Sequence, residues 1–347
     1  MRRTILILWV IVSAMMAGAQ TLTTTDAVLV YYMPKTLLAF EVEYVETTRT
    51  QGPFYQYAER YLGTKEIVMA DEKTYELKDV KLHTKTVADP ERAYKLNLSA
   101  TQRGSIVLNK DGVLAAYNAE ADKNNEHATS GKTGTNATYQ GHKAKKKLAP
   151  LSEEALFASS KAKMAEAAAK QIYRIREARM SILSCEVEHM PTDSKMLSTM
   201  LHELEEQEEE LVALFVGTSK RKTQRQIVYY TPAETEQDKV LLRFSRYAGI
   251  VGADDLSGEP LKLTLIAHKQ ELLPSEEQKP EPVSDIVYNL PGEAQVILCD
   301  SKGNNLIDKT IPVAQFGVSI ALPQALMKRK PHILFNTRTG AITSISE

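Results

Sequence analysis

Several features are scarce in this sequence, and each shortage excludes a class of protein. Only two cysteines occur in 347 residues, so the chain is not a small fold held together by disulfides. Neither charge is in excess, because 43 lysines and arginines stand against 44 aspartates and glutamates, whereas a protein that mainly binds nucleic acid presents a clustered basic surface. With 43 % hydrophobic and 25 % charged residues, the chain is expected to be an ordinary folded protein. At roughly 150 residues per domain, its length suggests about two domains.

Long apolar runs are scarce as well, and the longest one is near the N-terminus. Arg2 and Arg3 supply positive charge, residues 5–16 are almost all apolar, and residues 17–19 (Ala-Gly-Ala) have the small-residue pattern of a cleavage site. The alternative is a transmembrane anchor, but this run spans only about 18 Å as a helix, against a bilayer core of about 30 Å. We therefore expect residues 1–19 to be a removable signal peptide, Gln20 to be the mature N-terminus, and the mature chain to contain no transmembrane helix. Such a signal is typical of export to the periplasm, envelope or exterior of a Gram-negative bacterium.

Residues 20–118 have the pattern of an N-terminal β domain. Apolar residues alternate with others between Leu38 and Tyr44, which predicts a strand with one buried face. Two apolar runs flank residues 109–112 (Asn-Lys-Asp-Gly), and Asp-Gly between such runs favours a hairpin. A short helix is predicted near residues 53–63, with Pro at its start and Gly at its end.

The next two stretches, residues 119–151 and 152–216, contrast with each other. The first contains no Val, Ile, Met or Phe and is too polar to bury a core, so it is predicted to be a flexible loop or linker. In the second, apolar residues recur every three or four positions, Ser152 can cap the start, and Gly217 can cap the end. This pattern predicts an antiparallel helical hairpin with a coiled-coil-like seam, whose helices have about 35 and about 23 residues.

Residues 217–347 return to a β pattern and are predicted to form a C-terminal β domain. Many short candidate strands alternate there with turn signals such as residues 301–303, which is typical of a sandwich or an open antiparallel sheet. The predicted fold class is therefore α+β and mostly β, with two antiparallel, sandwich-like β regions that a flexible loop and a helical hairpin separate. The sequence leaves open whether the two β regions form one domain or two.

The motifs of nucleotide binding, metal binding and nucleophilic catalysis are all incomplete. Residues 130–133 (Ser-Gly-Lys-Thr) resemble the end of a phosphate-binding loop, but Glu126 stands where that motif requires a glycine. His202 and Glu203 begin like a zinc-protease motif, but Glu206 stands where the second histidine is required. The seven histidines show no ligand spacing, and no Gly-x-Ser-x-Gly sequence occurs. We therefore expect no catalytic residue, no metal and no cofactor.

The two cysteines, Cys185 and Cys299, leave two alternatives open. In an oxidising compartment they could form a disulfide that ties the helical hairpin to the last β region. Alternatively, both are separately buried thiols, because Cys185 follows Ile182 on the apolar face of its helix.

Tyrosine is concentrated in one part of the chain. Eight of the 15 tyrosines lie between residues 31 and 94. Because tyrosine combines an apolar ring with a polar tip, it suits both protein interfaces and sugar binding. Phe54, Tyr55, Tyr57 and Tyr61 are therefore candidates for a surface that binds a protein or glycan partner. The alternative is that these rings fill strands and a short helix in the core.

Four segments carry a family resemblance. They are residues 31–36 (Tyr-Tyr-Met-Pro-Lys-Thr), 52–63 (Gly-Pro-Phe-Tyr-Gln-Tyr-Ala-Glu-Arg-Tyr-Leu-Gly), 214–217 (Leu-Phe-Val-Gly) and 313–317 (Val-Ala-Gln-Phe-Gly), followed by Leu322-Pro323. On these segments the chain resembles a family of exported, uncharacterised bacterial envelope proteins, designated domain of unknown function 4831 and typical of gut-type Bacteroidetes. The resemblance implies one shared architecture over most of the mature chain, but no known activity and no site residue.

Three functions follow as expectations. The first is an exported, non-catalytic envelope protein that binds an unknown protein or glycan partner and no nucleic acid. The second is an exported hydrolase of glycans or peptides whose two carboxylates come from different strands; a deep pocket with facing carboxylates would distinguish it. The third is a structural assembly component in which the seam of the hairpin closes between chains.

Overall fold

The computed structural model describes residues 27–98, 105–120, 151–186, 193–269 and 286–346. The predicted signal peptide at residues 1–19 lies outside these ranges. So does almost all of the predicted loop at residues 119–151, together with the phosphate-loop-like segment at 130–133.

The longest strands form a three-stranded antiparallel sheet. Its strands are β1 (Ala27–Thr50), β2 (Glu72–Leu98) and β5 (Thr218–Tyr230), in the order β2-β1-β5. The alternation predicted for β1 is present: Leu38, Phe40 and Val42 are fully buried on one face, because successive side chains of a strand point to opposite faces.

A five-stranded antiparallel sheet covers that buried face. Its strands are β6 (Glu236–Ser245), β7 (Gly249–Val251), β8 (Glu259–His268), β9 (Val287–Cys299) and β10 (Asn305–Ala321), in the order β10-β9-β8-β6-β7. Leu263, Leu265 and Leu298 of this sheet share one core with Phe40 and Val42 of β1. The two sheets therefore pack as a sandwich whose layers come from both β regions, whereas the sequence predicted a sandwich-like arrangement within each region.

A third, four-stranded sheet combines strands from both β regions. Its strands are β3 (Ile106–Leu108), β4 (Leu114–Tyr117), β11 (His332–Phe335) and β12 (Ile342–Ser346), in the order β12-β11-β4-β3. The predicted turn at residues 109–112 joins β3 to β4, with Gly112 at a φ of 78°. Tyr31, Ile333 and Phe335 belong to the second core, which this sheet covers.

The two β regions therefore share their sheets. The β5 strand lies beside β1, although the hairpin separates them in sequence, and β11 lies beside β4. The boundaries predicted at residues 118 and 217 divide the sequence into segments, but they do not divide the molecule into independent sheets.

The helices are short except for the hairpin. They are α1 (Ala58–Leu62), which follows the 3-10 turn Tyr55–Tyr57, then α2 (Glu153–Leu156), α3 (Lys161–Leu183), α4 (Ser194–Val216) and α5 (Gln324–Met327). The predicted second helix of the hairpin is confirmed in length and in its end, since Gly217 closes α4 at a φ of 83°. The predicted first helix is too long, because the Ser160 hydroxyl accepts a hydrogen bond from the Lys163 amide (3.3 Å) and caps a new helix. The predicted fold class, α+β and mostly β, is confirmed.

Two β-bulges meet where the sandwich adjoins the third sheet. The β1–β2 register shifts after Tyr32, so that residues 90–92 of β2 bulge outwards. The β9–β10 register shifts after Val313, so that residues 314–317 of β10 bulge as well. Bulges leave backbone groups without a partner in the ladder, and buried groups of this kind need other hydrogen bonds.

Buried and half-buried polar side chains bond to backbone groups of the β10 bulge and of the neighbouring segments. Arg92 donates to the Asp89 carboxylate (2.9 Å) and to the Pro34 carbonyl (2.8 Å). Asn289, which is fully buried, donates to the carbonyls of Ala314 (2.8 Å) and Thr339 (2.7 Å). Further bonds join the backbone of residue 36 to the side-chain amide of residue 315. We call this set the polar joint; its members are Thr36, Asp89, Arg92, Asn289 and Gln315.

Candidate functional site

The segment 51–63, where the sequence placed its candidate surface, begins in close contact with the end of α4. A Cβ atom at Gly52 would lie 2.5 Å from the Leu214 carbonyl oxygen, so only glycine fits there. Two residues later, the Phe54 amide donates to the same carbonyl (2.7 Å). The segment is therefore attached to the helix through backbone contacts.

Phe54 corrects the prediction of a partner-binding surface. Its side chain is only 3 % exposed, and its ring centroid lies 5.5 Å from that of Phe215. Ala58, Ile172 and Leu211 belong to the same core. Phe54 anchors the segment to the base of the hairpin and is not available to a partner. We call this contact, formed by Gly52, Phe54, Leu214 and Phe215, the hairpin joint.

The other predicted residues lie nearer to solvent. Tyr57 and Tyr61 are half-buried, and their ring centroids are 6.2 Å apart. The Arg60 guanidinium lies 5.5 Å from the centroid of the Tyr61 ring. Tyr55 is also half-buried, and its hydroxyl accepts a hydrogen bond from the Gln56 side chain (3.1 Å).

Two residues of α3, which the sequence reasoning missed, complete this surface. The Tyr173 hydroxyl donates to the Tyr61 carbonyl (2.7 Å), and 45 % of the Tyr173 surface is exposed. The Arg176 guanidinium lies 5.6 Å from the centroid of the Tyr173 ring. We call the surface formed by Tyr57, Arg60, Tyr61, Tyr173 and Arg176 the tyrosine patch. In the sequence, Tyr173 falls outside the apolar positions that recur along α3. This placement is the signal that could have identified Tyr173 as a surface residue.

An open groove of about 780 Å³ lies at the end of the three-stranded sheet. Its walls are Arg49, residues 66–72 and residues 216–219. The wall is held in place because the Val68 amide donates to the Val216 carbonyl (2.8 Å). Ile67 lines the groove and also packs against the core beneath Tyr57 and Tyr61, so the groove adjoins the tyrosine patch.

Two of the three carboxylates that line the groove are engaged, and the third, that of Glu66, is exposed. Asp71 accepts a hydrogen bond from the Gln51 amide (2.7 Å), and Glu72 lies 3.9 Å from the Arg49 guanidinium. Met69, by contrast, is 67 % exposed. The groove therefore offers an apolar side chain and fixed polar groups, which suits the binding of a ligand or partner segment.

For six carboxyl groups outside the groove, hydrogen bonds and neighbouring charges favour the ionised form. Where the pKa of a described carboxyl group is shifted, the shift is downward. For example, hydrogen bonds from Asn304 hold the pKa of Asp300 below its ordinary value. A general acid at neutral pH requires the opposite shift.

The comparison with known proteins identifies a family. Residues 28–343 match the sequence profile of a domain of unknown function, DUF4831. The chain belongs to the DUF4831 family. No curated protein and no solved structure matches it.

The segments that carried the resemblance to DUF4831 meet in pairs. Segments 31–36 and 313–317 come together at the polar joint, where the Ala314 amide donates to the Thr36 hydroxyl (3.0 Å). Segments 52–63 and 214–217 come together at the hairpin joint. Each pair joins parts of the chain that are far apart in sequence, so these motifs of the DUF4831 chain are explained by its architecture.

The cysteines of the DUF4831 chain are free thiols in this structure. Cys185 is exposed just beyond α3, so it does not match the alternative of a buried thiol at this position; the disulfide with Cys299 stays a prediction. Cys299 is half-buried at the end of β9, with its Sγ 3.1 Å from the Asn305 side-chain oxygen.

Within the described ranges, no three side chains of His, Cys, Asp or Glu are grouped so as to hold a metal ion. His202 lies 3.4 Å from Glu206, one helical turn away on α4. In the same ranges, no helix of the DUF4831 chain has the length and apolar character needed to cross a membrane.

Proposed function

We propose that this DUF4831 protein is an exported, non-catalytic envelope protein that binds a protein partner through the tyrosine patch and the adjoining groove. Export is supported by the N-terminal sequence, in which two arginines, an apolar run and Ala-Gly-Ala follow one another. The proposed location is the periplasm or outer surface of a Gram-negative bacterium, and the family resemblance favours a member of the Bacteroidetes.

The tyrosine patch is the observation that carries this proposal. It brings three tyrosines and two arginines together on one surface at the base of the hairpin. Tyrosine and arginine are enriched among the residues that dominate binding energy at protein interfaces. The hydrogen bond from Tyr173 to the Tyr61 carbonyl connects the two halves of the patch, so little conformational freedom is lost on binding.

The arginines favour a protein over a glycan as the partner. A sugar ring stacks on an open aromatic face, but guanidinium groups already lie over Tyr61 and Tyr173. Ring edges and the exposed Arg60 side chain remain for contact, and these match the mixed polar and apolar surface of a protein.

The geometry of the groove gives less support to a hydrolase. A hydrolytic site of the expected kind needs two carboxylates that face each other across the substrate. In the groove, Asp71 accepts a backbone hydrogen bond and Glu72 lies beside Arg49.

Affinity capture with a matched control tests the proposal. The double variant Arg60→Glu/Tyr173→Ala removes the exposed part of the patch. Arg246→Glu/Tyr247→Ala is the control, because Arg246 lies over the exposed ring of Tyr247 in the same way (5.8 Å) at another place on the surface. The tagged mature protein and both variants would be incubated with a solubilised envelope fraction, and bound proteins would be quantified by mass spectrometry.

We expect at least one envelope protein to be retained equally by the mature protein and the control. The patch variant should retain it at least about tenfold less, since residues that dominate an interface contribute more than 1.4 kcal/mol each. Equal retention by all three proteins would contradict the proposal. The same three proteins would also be applied to a glycan array. If the mature protein and the control bind a glycan there and the patch variant does not, the partner is a glycan instead of a protein.

A further inference from the structure

The β5 strand lies at one side of the three-stranded sheet, and only one of its two edges has a partner strand. It pairs with β1 over its whole length, Thr218–Tyr230. The register of this pair contains no shift, so β5 is a regular strand of 13 residues. Among the described residues, none forms a backbone hydrogen bond to the side of β5 that faces away from β1. We call this side the β5 edge.

The β5 edge offers its backbone groups to a further strand. In an antiparallel sheet, every second residue of a strand directs its amide and carbonyl towards the same neighbour, so about half of the β5 residues direct these groups away from β1. Proteins commonly protect such an edge with a proline, a bulge or a covering element. The β5 strand contains neither a proline nor a bulge. An extended peptide could therefore continue the ladder as an added strand.

The other two long edge strands of the sandwich are at least partly closed. On β2, the Tyr75 amide donates to the Arg246 carbonyl between β6 and β7 (2.7 Å). On β10, the Ala314 amide donates to the Thr36 hydroxyl of β1 (3.0 Å). The β5 edge has no such contact within the ranges that the structure describes. It is therefore the long edge that is best placed to receive a further strand.

The β5 strand is also basic. It contains no aspartate or glutamate, and its charged residues, all of them exposed, are Lys220, Arg221, Lys222 and Arg225. Arg225 already lies 2.7 Å from the Glu43 carboxylate. The pKa of Glu76 is lowered mainly by a hydrogen bond from Lys78 and in part by the Arg221 charge. Both arginines therefore have acidic neighbours in the chain itself.

The two lysines of β5, by contrast, have no ion-pair partner among the described residues. Lys222 lies opposite Glu46 in the register of β1 and β5, but the Glu46 carboxylate is paired with Lys73 (3.1 Å). Lys220 lies opposite Thr48, which carries no charge. Because the two lysines are two residues apart in a strand, their side chains lie on the same face of the sheet. They would meet every second side chain of a strand added at the β5 edge.

We propose that the β5 edge binds an extended acidic segment of a protein partner as an added strand. The unpaired backbone groups require an extended segment, and the two unpaired lysines favour carboxylates at every second position of that segment. The same positive charge disfavours a second copy of β5, since like charges that face each other across two strands are destabilising. This inference goes beyond the proposed function, because the tyrosine patch contains no residue of β5.

Fluorescence anisotropy with a labelled synthetic peptide tests this proposal. The probe is a capped peptide in which Thr and Glu alternate over about eight residues, so that its carboxylates share one face when it is extended. The control peptide has the same sequence and charge, but every backbone amide is N-methylated and cannot donate to the β5 edge. The purified mature chain would be titrated to about 300 µM at low ionic strength, which covers micromolar dissociation constants.

Two double variants and a second measurement complete the design. Lys220→Glu/Lys222→Glu reverses both unpaired charges of β5. Lys262→Glu/Lys309→Glu is the matched control, because it reverses two exposed lysines on β8 and β10. Far-UV circular dichroism shows that both variants keep their fold. Amide hydrogen exchange followed by mass spectrometry reports directly on the backbone of β5.

We expect the mature chain and Lys262→Glu/Lys309→Glu to bind the Thr-Glu peptide with the same dissociation constant. Lys220→Glu/Lys222→Glu should raise this constant at least about tenfold, and so should N-methylation of the peptide, since each change removes one of the two contributions to binding. The unmodified peptide should also slow amide exchange in about half of the β5 residues.

Three results would each overturn the proposal. They are no binding of the peptide by the mature chain, equal binding of the N-methylated peptide, and equal binding by the Lys220→Glu/Lys222→Glu variant and its control. Arg60→Glu/Tyr173→Ala should bind the peptide normally. Failure of the β5 edge and failure of the tyrosine patch are therefore distinguishable.

Discussion

The polar joint and the hairpin joint connect distant segments by opposite means. At the polar joint, two bulged strands meet, and the side chains that connect the segments there carry charged, amide or hydroxyl groups. At the hairpin joint, a loop meets the end of a helix, and two phenylalanine rings fill the space between them.

The difference follows from the backbone. The last carbonyls of a helix lack an intrahelical partner, and at the hairpin joint the Phe54 amide satisfies that of Leu214, so the rest of this joint can be apolar contact. A bulge leaves carbonyl and amide groups unpaired inside the protein, so a joint between bulges needs buried donors and acceptors. The chemistry of each joint is therefore set by the kind of backbone that enters it.

The largest expected effect comes from breaking the hairpin joint. Phe215 is fully buried, and Phe215→Ala should lower the free energy of unfolding by about 3–5 kcal/mol, because it removes apolar contacts and leaves a cavity. Denaturant unfolding followed by circular dichroism measures this loss. Phe157→Ala is the control, since Phe157 is 80 % exposed. Equal stability of the two variants would show that the ring does not hold the joint.

Breaking the polar joint should have a slightly smaller effect. Arg92→Met leaves the Asp89 carboxylate, which is only 4 % exposed, without its guanidinium partner. Lys35 still lies 3.9 Å from this carboxylate, so the buried charge keeps one partner, and we expect a loss of about 2 kcal/mol, which is typical of a lost hydrogen bond to a charged group. Arg225→Met is the matched control: Arg225 lies 2.7 Å from Glu43, but its side chain is 62 % exposed, and exposed ion pairs contribute at most about 1 kcal/mol. If both variants lose the same stability, the polar joint is no stronger than a surface ion pair.

The smallest expected effect concerns the polar contact at the outer edge of the hairpin core, and it depends on pH. Burial would raise the pKa of Glu208, but hydrogen bonds from Arg176 and Arg179 outweigh burial and hold this pKa below its ordinary value. A carboxyl group with a lowered pKa in the folded state stabilises the protein above its unfolded pKa of about 4.3, and this contribution is lost as the pH falls through the folded pKa.

Glu208→Gln should therefore cost about 1 kcal/mol near neutral pH and much less in acid. Thermal unfolding of the mature chain and of this variant, measured at both pH values, gives the two differences. Glu209→Gln serves as control, because Glu209 is exposed on the next position of the same helix. A stability difference that stays constant with pH would contradict the role of the ionised carboxylate.

Local features of the fold could be predicted from the sequence. The alternation from Leu38 to Tyr44, the turn at residues 109–112 and the end of α4 at Gly217 depend on side-chain periodicity and on the backbone freedom of glycine. All three are set within a few neighbouring residues. The break at Ser160 was missed, because Ser152 offers an equally good cap and only the packed structure distinguishes them.

The candidate site could be predicted only in part. The tyrosine-rich segment was visible in the composition, but Phe54 and Tyr57 could not be separated into core and surface. That separation depends on which ring meets Phe215, a residue about 160 positions away in the chain. Tyr173 and Arg176 join the patch only because α3 packs beside α1, and no local pattern records this contact.

The sequence alone determined the mostly β fold class, the second helix of the hairpin and the family, because periodicity, caps and shared motifs are properties of short segments. Only the tertiary structure decided that β5 pairs with β1 and β11 with β4, so that the two β regions share their sheets. Many strands have the same alternating pattern, so the pattern of one strand does not identify the strand that pairs with it. The pairing depends on which strand edges and apolar faces the whole chain can bring together.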